Sequence, residues 1–433
     1  MYRIYRTGTR ILSPFIPWYL KRRVQRGKED ETRIGERFGE ASRERPEGQL
    51  IWLHGASVGE VLSLQALIGK LRDMFPKTHI LVTSGTVTSA RLMEERLPEG
   101  AFHQFIPLDH PDYAARFLDH WQPDIVLWAE SDLWPNMLMD IKNRSIPAAL
   151  INGRMSRKSF QRWSRFSGFA KDMLATFQTC LVQNEYEAEH FTGIGAQNVQ
   201  PVGNLKYSAA PLSCDEGDLE ELLEALHERP HWLFASTHEG EEEIALRVHQ
   251  RLKKTFPNNV TIIAPRHPER RDTVLSMCAE EELKVSQRSK GALPREDDDI
   301  HLVDTLGELG LYFQAISLVV IGGSFIPHGG HNPIEPGRLD CQILYGPYMH
   351  NFMTICEDFE NVSAARRLED EEELYTEIRH LFYNPVEGQK LADTARRLTE
   401  GKAHVIDDII AALYPVFERA GFYDAIKAQQ KTG

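Results

Sequence analysis

The sequence predicts an α/β fold made of two Rossmann-like domains in series. Three observations predict it. Short apolar, β-branched runs alternate with helical patterns along the chain, and the alternation breaks once, in an acidic irregular stretch after Lys206, before restarting. At 433 residues the chain is also too long for one ordinary core.

In the first half the strand candidates are QLIWLH, HILVTS, HQFIPL, DIVLWAE, AALING, TCLVQN and VQPVG. Helical periodicity fills the spaces between them; Leu64, Leu67, Ile68, Leu71 and Met74 fall on one face after Glu60. The stretch SAAPLSCDEGDLEELLEALHERP reads as a linker running into a helix. Strands resume with HWLFAST, VTIIAPRH, HLVDT, SLVVIGGS and CQILYG. Apolar strand runs joined by helical crossovers indicate parallel sheets covered on both faces. The expected divisions are a basic N-terminal segment (1–28), a first domain (29–208), a second domain (209–405) and a C-terminal helical segment (406–433).

The composition, 42% hydrophobic and 26% charged, is that of a globular protein without low-complexity tracts. With 50 basic against 63 acidic residues the formal net charge is −13, which argues against a general nucleic-acid binder. Five scattered cysteines without a C-x-x-C pair fit a reducing compartment and argue against a disulfide framework or structural zinc. The charge is uneven. Eight basic residues and no acid precede Glu29, and between them lies ILSPFIPWYL. Ten residues with two prolines do not span a bilayer, which takes about 20 residues as a helix. Apolar and aromatic residues between cationic clusters suit an anionic membrane surface; the alternative is a segment packed on the protein with a solvated basic fringe.

In parallel α/β sheets ligands sit beyond the carboxyl ends of the strands, where such domains would face a cleft. Those ends carry HGASVGE, TSGTVTS, AESDLWPN, INGRMS and GNLKY in the first half, and ASTHEGEEE, APRHPER, DTLGEL and GGSFIPHGGHNPIEP in the second. In HGASVGE, Ser57 and Glu60 have the Ser-x-x-Glu spacing of a capping box, which accounts for both residues without chemistry. The small residues around them also suit close approach by a ligand. In the second half, Gly322, Gly323, Gly329 and Gly330 let backbone N–H groups approach a ligand. A helix starting near Asn332-Pro333 would aim its N-terminus at a phosphate. Glu335 in its first turn could accept from ribose hydroxyls; the plainer reading is a loop capped by Asn332. Arg266 and His267 follow a buried strand, where arginine can bind phosphate or stack on a base. Ser236 and His238 end another strand, before a helix whose first-turn acids (Glu239, Glu241, Glu242, Glu243) complement its dipole. Gly307 and Glu308 end one more. Lys206 is placed at the domain junction, able to reach an anion. H-E-x-x-H spacing, a P-loop and G-x-G-x-x-G are all absent, so no metal site and no nucleotide-hydrolase or dehydrogenase motif is expected.

Taken in order, GERFGE, HGASVGE, TSGT, AESDLWPN, NGRMS, VGNLKY, ASTHEGEEE, PRHPER, DTLGEL and GGSFIPHGGHNPIEP resemble the family of 3-deoxy-D-manno-octulosonic acid (Kdo) transferases, of the GT-B glycosyltransferase fold, over nearly the whole chain. Asp132 stands where that family more often has glutamate, and ILSPFIPWYL is shorter than its usual apolar anchor. The resemblance implies an inverting transfer of Kdo from CMP-Kdo to a lipid A precursor, at the cytoplasmic face of the bacterial inner membrane, with peripheral or monotopic attachment. It implies Glu60 as general base and Glu130 as a second functional carboxylate. It implies a nucleotide and donor site at Ser236, His238, Arg266, His267, Gly307, Glu308, Gly323, Ser324, Asn332 and Glu335, with Lys206 near the phosphate or sugar carboxylate. No cofactor or metal is expected. A UDP-sugar transferase or 2-epimerase on the same fold, and a non-catalytic membrane-associated sugar-binding protein, are the alternatives.

Overall fold

The computed structural model describes residues 1–422 apart from Ser131 and Glu228. Residues 423–433 of the expected C-terminal segment, and the serine of AESDLWPN, therefore lie outside the described residues. The chain forms two units, one of residues 1–209 together with the chain from Ala403 onward, the other of Ala210–Lys402.

The first unit holds β1 (Leu50–His54), β2 (His79–Ser84), β3 (Ala101–Phe105), β4 (Ile125–Ala129), β5 (Ala148–Gly153), β6 (Thr179–Val182) and β7 (Val199–Pro201). They form one parallel sheet in the order β3-β2-β1-β4-β5-β6-β7. The second unit holds β8 (His231–Thr237), β9 (Val260–Pro265), β10 (Val285–Gln287), β11 (Ile300–Leu302), β12 (Leu318–Ile321), β13 (Gln342–Tyr345) and β14 (Ala365–Arg367). Their order is β10-β11-β9-β8-β12-β13-β14, again parallel throughout. Every apolar run named above forms a strand. The two strands that sequence reasoning missed, β10 and β14, are three-residue edge strands (VSQ and ARR) without an apolar run.

Each sheet is wound outward in both directions from its first strand. The order therefore reverses between β1 and β4 in the first unit and between β8 and β12 in the second. A doubly wound sheet opens a crevice at such a point, because the flanking crossover helices leave on opposite faces.

One face of the first sheet buries Trp52, Trp121 and Trp128. The other packs Leu53, Leu64 and Leu67 against Val405, Ile409, Leu413 and Phe417 of the helix Val405–Arg419. That helix was expected in a separate segment beyond a second domain ending at 405. Instead the second unit closes at Lys402, and the apolar stripe of the last helix completes the first unit's core.

The N-terminal segment forms two helices, Tyr2–Leu12 and Ile16–Val24. Polar contacts tie it to the first unit: Tyr5 Oη donates to Asp109 Oδ2 at 2.8 Å, and Arg10 pairs with Asp112 at 2.8 Å. Buried Glu29 is gripped by Arg23 (2.7 Å) and Arg37 (2.8 Å), and Arg37 also donates to the carbonyls of Ile106 (2.9 Å) and Gly85. Leu20 is buried, but most of the segment's large apolar side chains are left outside. Ile4 is 73% exposed, Ile11 69%, Phe15 65% and Trp18 64%. Among the described residues no helix is long and apolar enough to cross a membrane.

Candidate active site

In the first unit the two strands at the reversal deliver the two carboxylates. β1 ends at His54 and turns through Gly55-Ala56-Ser57 into the helix Val58–Met74. Gly55 suits a tight turn here. A Cβ on it would come within 3.2–3.3 Å of Glu60, Leu64 and Val61, so the turn lies directly on the helix. Ser57 is the N-cap, with its Oγ accepting from Glu60 N at 3.4 Å. The Glu60 side chain folds back over the turn: Oε2 accepts from Ala56 N at 2.7 Å and Oε1 from Ser57 Oγ at 2.8 Å. The Ser-x-x-Glu spacing thus caps the helix through Ser57, and the Glu60 carboxylate returns to the N–H of Ala56, one residue before the N-cap, which pins it at the strand end. Burial pushes the Glu60 carboxyl up to about 7, helped by the neighbouring charge of Glu130.

Glu130 follows β4 with φ 56°, a left-handed conformation rare for a glutamate, and is 6% exposed. Its Oε2 accepts from Arg154 Nε at 2.8 Å. Arg154 comes from the end of β5, after Asn152 in the left-handed region (φ 51°). The Asn152 Oδ1 accepts from Leu205 N (3.1 Å) and Gln183 Nε2 (3.2 Å), fixing the turn that carries Lys206. The Lys206 ammonium feels Glu130, Arg154 and Glu60, and burial lowers its pKa. Two carboxylates and two cations therefore share one rim. His54, by contrast, is a core residue. It is buried, bonded to Thr83 Oγ1 at 2.9 Å and held neutral by burial, its pKa about 3.

In the second unit, β8 and β12 play the same parts. Gly322 at the end of β12 abuts β8 so closely that a Cβ would lie 2.1 Å from the Ser236 carbonyl oxygen. Glu241, fully buried, accepts from the N–H groups of Gly323 (2.7 Å), Ser324 (3.0 Å), Phe325 (3.0 Å) and His238 (3.0 Å). It buttresses the glycine loop from within, where the sequence suggested a first-turn acid facing the helix dipole. Glu242 is also fully buried and pairs with Arg270 at 3.0 Å. Above this frame His238, His267, His328 and His331 cluster, with His238 and His267 ring centroids 5.7 Å apart. Arg266 is exposed after β9, its N–H bonded to Thr237 O at 2.9 Å, and its charge reaches Glu335. Asn332 Oδ1 accepts from Ile334 N (3.2 Å) and its Nδ2 donates to Glu335 Oε1 (3.2 Å). Burial raises the Glu335 pKa.

Two expectations change. The helix after Asn332-Pro333 is one turn, Ile334–Gly337, so aligned peptide dipoles add little there and any anion contact falls to loop N–H groups and side chains. The Ser324 hydroxyl is fully buried; it donates to Ile321 O and accepts from Gly346 N at 2.8 Å, which makes it a strut of the loop. Lys206 lies where the sequence placed it, in the first unit next to the junction at Ala209, and its charge feels Glu130 and Glu60. Ser236 is 9% exposed at φ 61° and offers mainly backbone. Gly307 (φ 85°) lies in the turn before Glu308, which is bound by Arg288 at 2.7 Å and kept below the usual carboxylate range by Arg288 and Thr305 despite its burial. Arg154, Asn152 and Arg288 were not singled out from sequence. For the first two, the available signal was the Asn-Gly-Arg turn at a strand end.

Two doubly wound parallel units in series give the chain the GT-B fold. In fold it is similar to UDP-GlcNAc 2-epimerase from Neisseria meningitidis, with a TM-score of 0.57 over 84% of this chain and 99% of that one at 12% identity. The family model of the 3-deoxy-D-manno-octulosonic-acid transferases matches residues 32–209. The chain is 33% identical to 3-deoxy-D-manno-octulosonic acid transferase of Rickettsia bellii over 96% of its own length and all of the relative's. It is 34% identical to the probable mitochondrial 3-deoxy-D-manno-octulosonic acid transferase of Arabidopsis thaliana over 89% of each. The chain belongs to the family of 3-deoxy-D-manno-octulosonic acid transferases.

The state of Glu60 predicts a pH signature in stability. In the folded chain its carboxyl titrates about 7 against an ordinary 4.5, so between those values the folded state holds a proton that the unfolded state has released. The contribution of Glu60 to stability therefore falls as pH rises through that window. Glu60→Gln removes this dependence. The melting temperature of the variant relative to wild type should rise between about pH 5 and about pH 8, measured by scanning calorimetry.

Proposed function

We propose that the protein transfers Kdo from CMP-Kdo to a sugar hydroxyl of a lipid A precursor with inversion at the anomeric carbon. The observation that carries this reading is Glu60: a carboxylate pinned by Ala56 N–H and the Ser57 hydroxyl, at a sheet reversal, with its pKa about 7. A general base works best when its pKa lies near the working pH, where it is both available and basic enough to take the proton. Glu60 removes the acceptor hydroxyl proton as that oxygen bonds to the anomeric carbon, and the bond from that carbon to the CMP phosphate oxygen breaks. Attack opposite the leaving group inverts the centre without a covalent sugar–enzyme intermediate. Burial raises the pKa of the base, and Glu130, which accepts from Arg154, adds to that rise. Arg154 and Lys206 supply positive charge suited to the carboxylate of Kdo or to acceptor phosphate. Arg266, with Asn332, Glu335 and the glycine-loop N–H groups, is assigned to CMP. Because these groups can match a departing monophosphate, the reaction is read as independent of metal.

The test is mass spectrometry of lipid A precursor incubated with CMP-Kdo and the protein, wild type and Glu60→Gln. Kdo addition is expected, with turnover in the variant lower by about 10²–10⁴-fold and CMP affinity little changed. A folded variant with wild-type turnover contradicts the base assignment.

The acceptor's acyl chains stay in a bilayer, so the enzyme is assigned to the cytoplasmic face of the inner membrane, attached peripherally. The exposed Ile4, Ile11, Phe15 and Trp18, flanked by exposed Arg3, Arg6, Lys21 and Arg22, supply apolar burial and about 1 kcal/mol of attraction per cation to anionic lipid. Charge reversal at those four cations should release the protein from anionic vesicles and lower transfer to vesicle-embedded acceptor, while detergent-dispersed acceptor is still used. Arg23 is left intact because it holds Glu29. Co-sedimentation unchanged by the reversal removes the electrostatic attachment.

A further inference from the structure

Three imidazoles from two strand ends of the second unit converge on one point. His238 follows β8, and His328 and His331 lie in the loop after β12; one ring nitrogen from each lies within 4.8 Å of the other two. The rings of His238 and His331 are coplanar to 2°, with their Nε2 atoms 2.9 Å apart. His328 stacks on His238 with centroids 3.9 Å apart.

The frame beneath them is fixed. Gly323 O accepts from both Gly329 N (3.2 Å) and Gly330 N (2.8 Å), folding the loop back so that His328 and His331 reach His238. Gly329 and Gly330 have φ of 115° and 75°, and a Cβ on Gly330 would meet the Met349 sulfur at 2.1 Å, so only glycine closes this loop. Glu241 anchors the His238 N–H and the start of the same loop.

We propose that His238, His328 and His331 form a binding site for a borderline transition-metal cation of the Zn²⁺ class, with a fourth position open to water or a phosphate oxygen. Zn–N bonds of about 2.0–2.1 Å in tetrahedral geometry place ligand nitrogens roughly 3.4 Å apart. The 2.9 Å between His238 and His331 therefore opens by about half an ångström, and the ring that donates in the present hydrogen bond moves its hydrogen to Nδ1. Of the arginines nearby, Arg270 is paired with Glu242 and Arg266 is exposed to solvent, where water and salt screen its charge. Imidazole donors with no carboxylate among them favour zinc, copper or nickel over magnesium. The site shares its rim with the residues assigned to CMP. Where that assignment holds, a bound metal excludes the nucleotide and inhibits transfer, and the reaction itself still needs no metal.

Calorimetric titration of Zn²⁺ into the nucleotide-free full chain, with Co²⁺ absorption as a second probe, tests the site without relying on the nucleotide reading. A single equivalent should bind, giving tetrahedral Co²⁺ bands. Losing an outer-shell partner alone costs about 10–100-fold in metal affinity, so His328→Ala, at an exposed position that leaves the fold intact, should weaken binding by at least tenfold. His404→Ala, on the first unit, should change nothing. Absence of saturable Zn²⁺ uptake, or uptake unchanged in His328→Ala, overturns the site; CMP titration in EDTA then still tests the nucleotide reading separately.

Discussion

The hydrogen bond from Ala56 N–H to the Glu60 carboxylate is the constraint on which the rest of the first unit's site depends. It is short at 2.7 Å and bends the side chain back over its own helix start. The turn that makes this possible is held from behind. Ala56 O accepts from Gly85 N at 3.0 Å, and Gly85 O accepts from Arg37, whose guanidinium is gripped by Glu29. A buried ion pair broken on one side typically costs about 3–5 kcal/mol, because the remaining charge is stranded. The basic N-terminal segment is therefore coupled to the base through Glu29, Arg37 and Gly85, which joins the proposed membrane attachment and the chemistry in one chain of contacts.

The second unit uses the same device to a different end. Glu241, like Glu60, stands in the first turn of the helix after the unit's first strand. Four backbone N–H groups converge on Glu241, so its bonding capacity goes to holding the glycine loop. Glu60 receives one backbone N–H and one hydroxyl, which leaves lone pairs for an incoming proton. The difference between Glu241 as a strut and Glu60 as the proposed base is thus a count of donors within one shared geometry.

Much of this was legible in the sequence because parallel strands buried on both faces read as continuous apolar runs, and their ends are where polar residues collect. From there Glu60, Glu130, Arg266 and the glycine loop could be placed at strand ends without coordinates. What stayed hidden depends on tertiary approach. Nothing near Arg154 in sequence points to Glu130, since the contact requires β4 and β5 to be neighbours. The convergence of His238 with His331 spans 93 positions and needs β8 beside β12. Val405–Arg419 shows an amphipathic stripe in sequence, yet which unit it covers is decided by complementary apolar surface, and the first sheet supplies it. The direction of the Ser324 hydroxyl was equally unreadable, because a serine in a glycine loop can face a ligand or its own backbone.

The account stands on Glu60 as a base whose pKa is set by burial and by Glu130. The most direct measurement is the rate of Kdo transfer against pH at fixed substrate. The predicted profile bends at about 7 and falls on the acid side as Glu60 takes up its proton, and the bend disappears in Glu60→Gln. A profile flat through that region, or the same bend in the variant, contradicts the account.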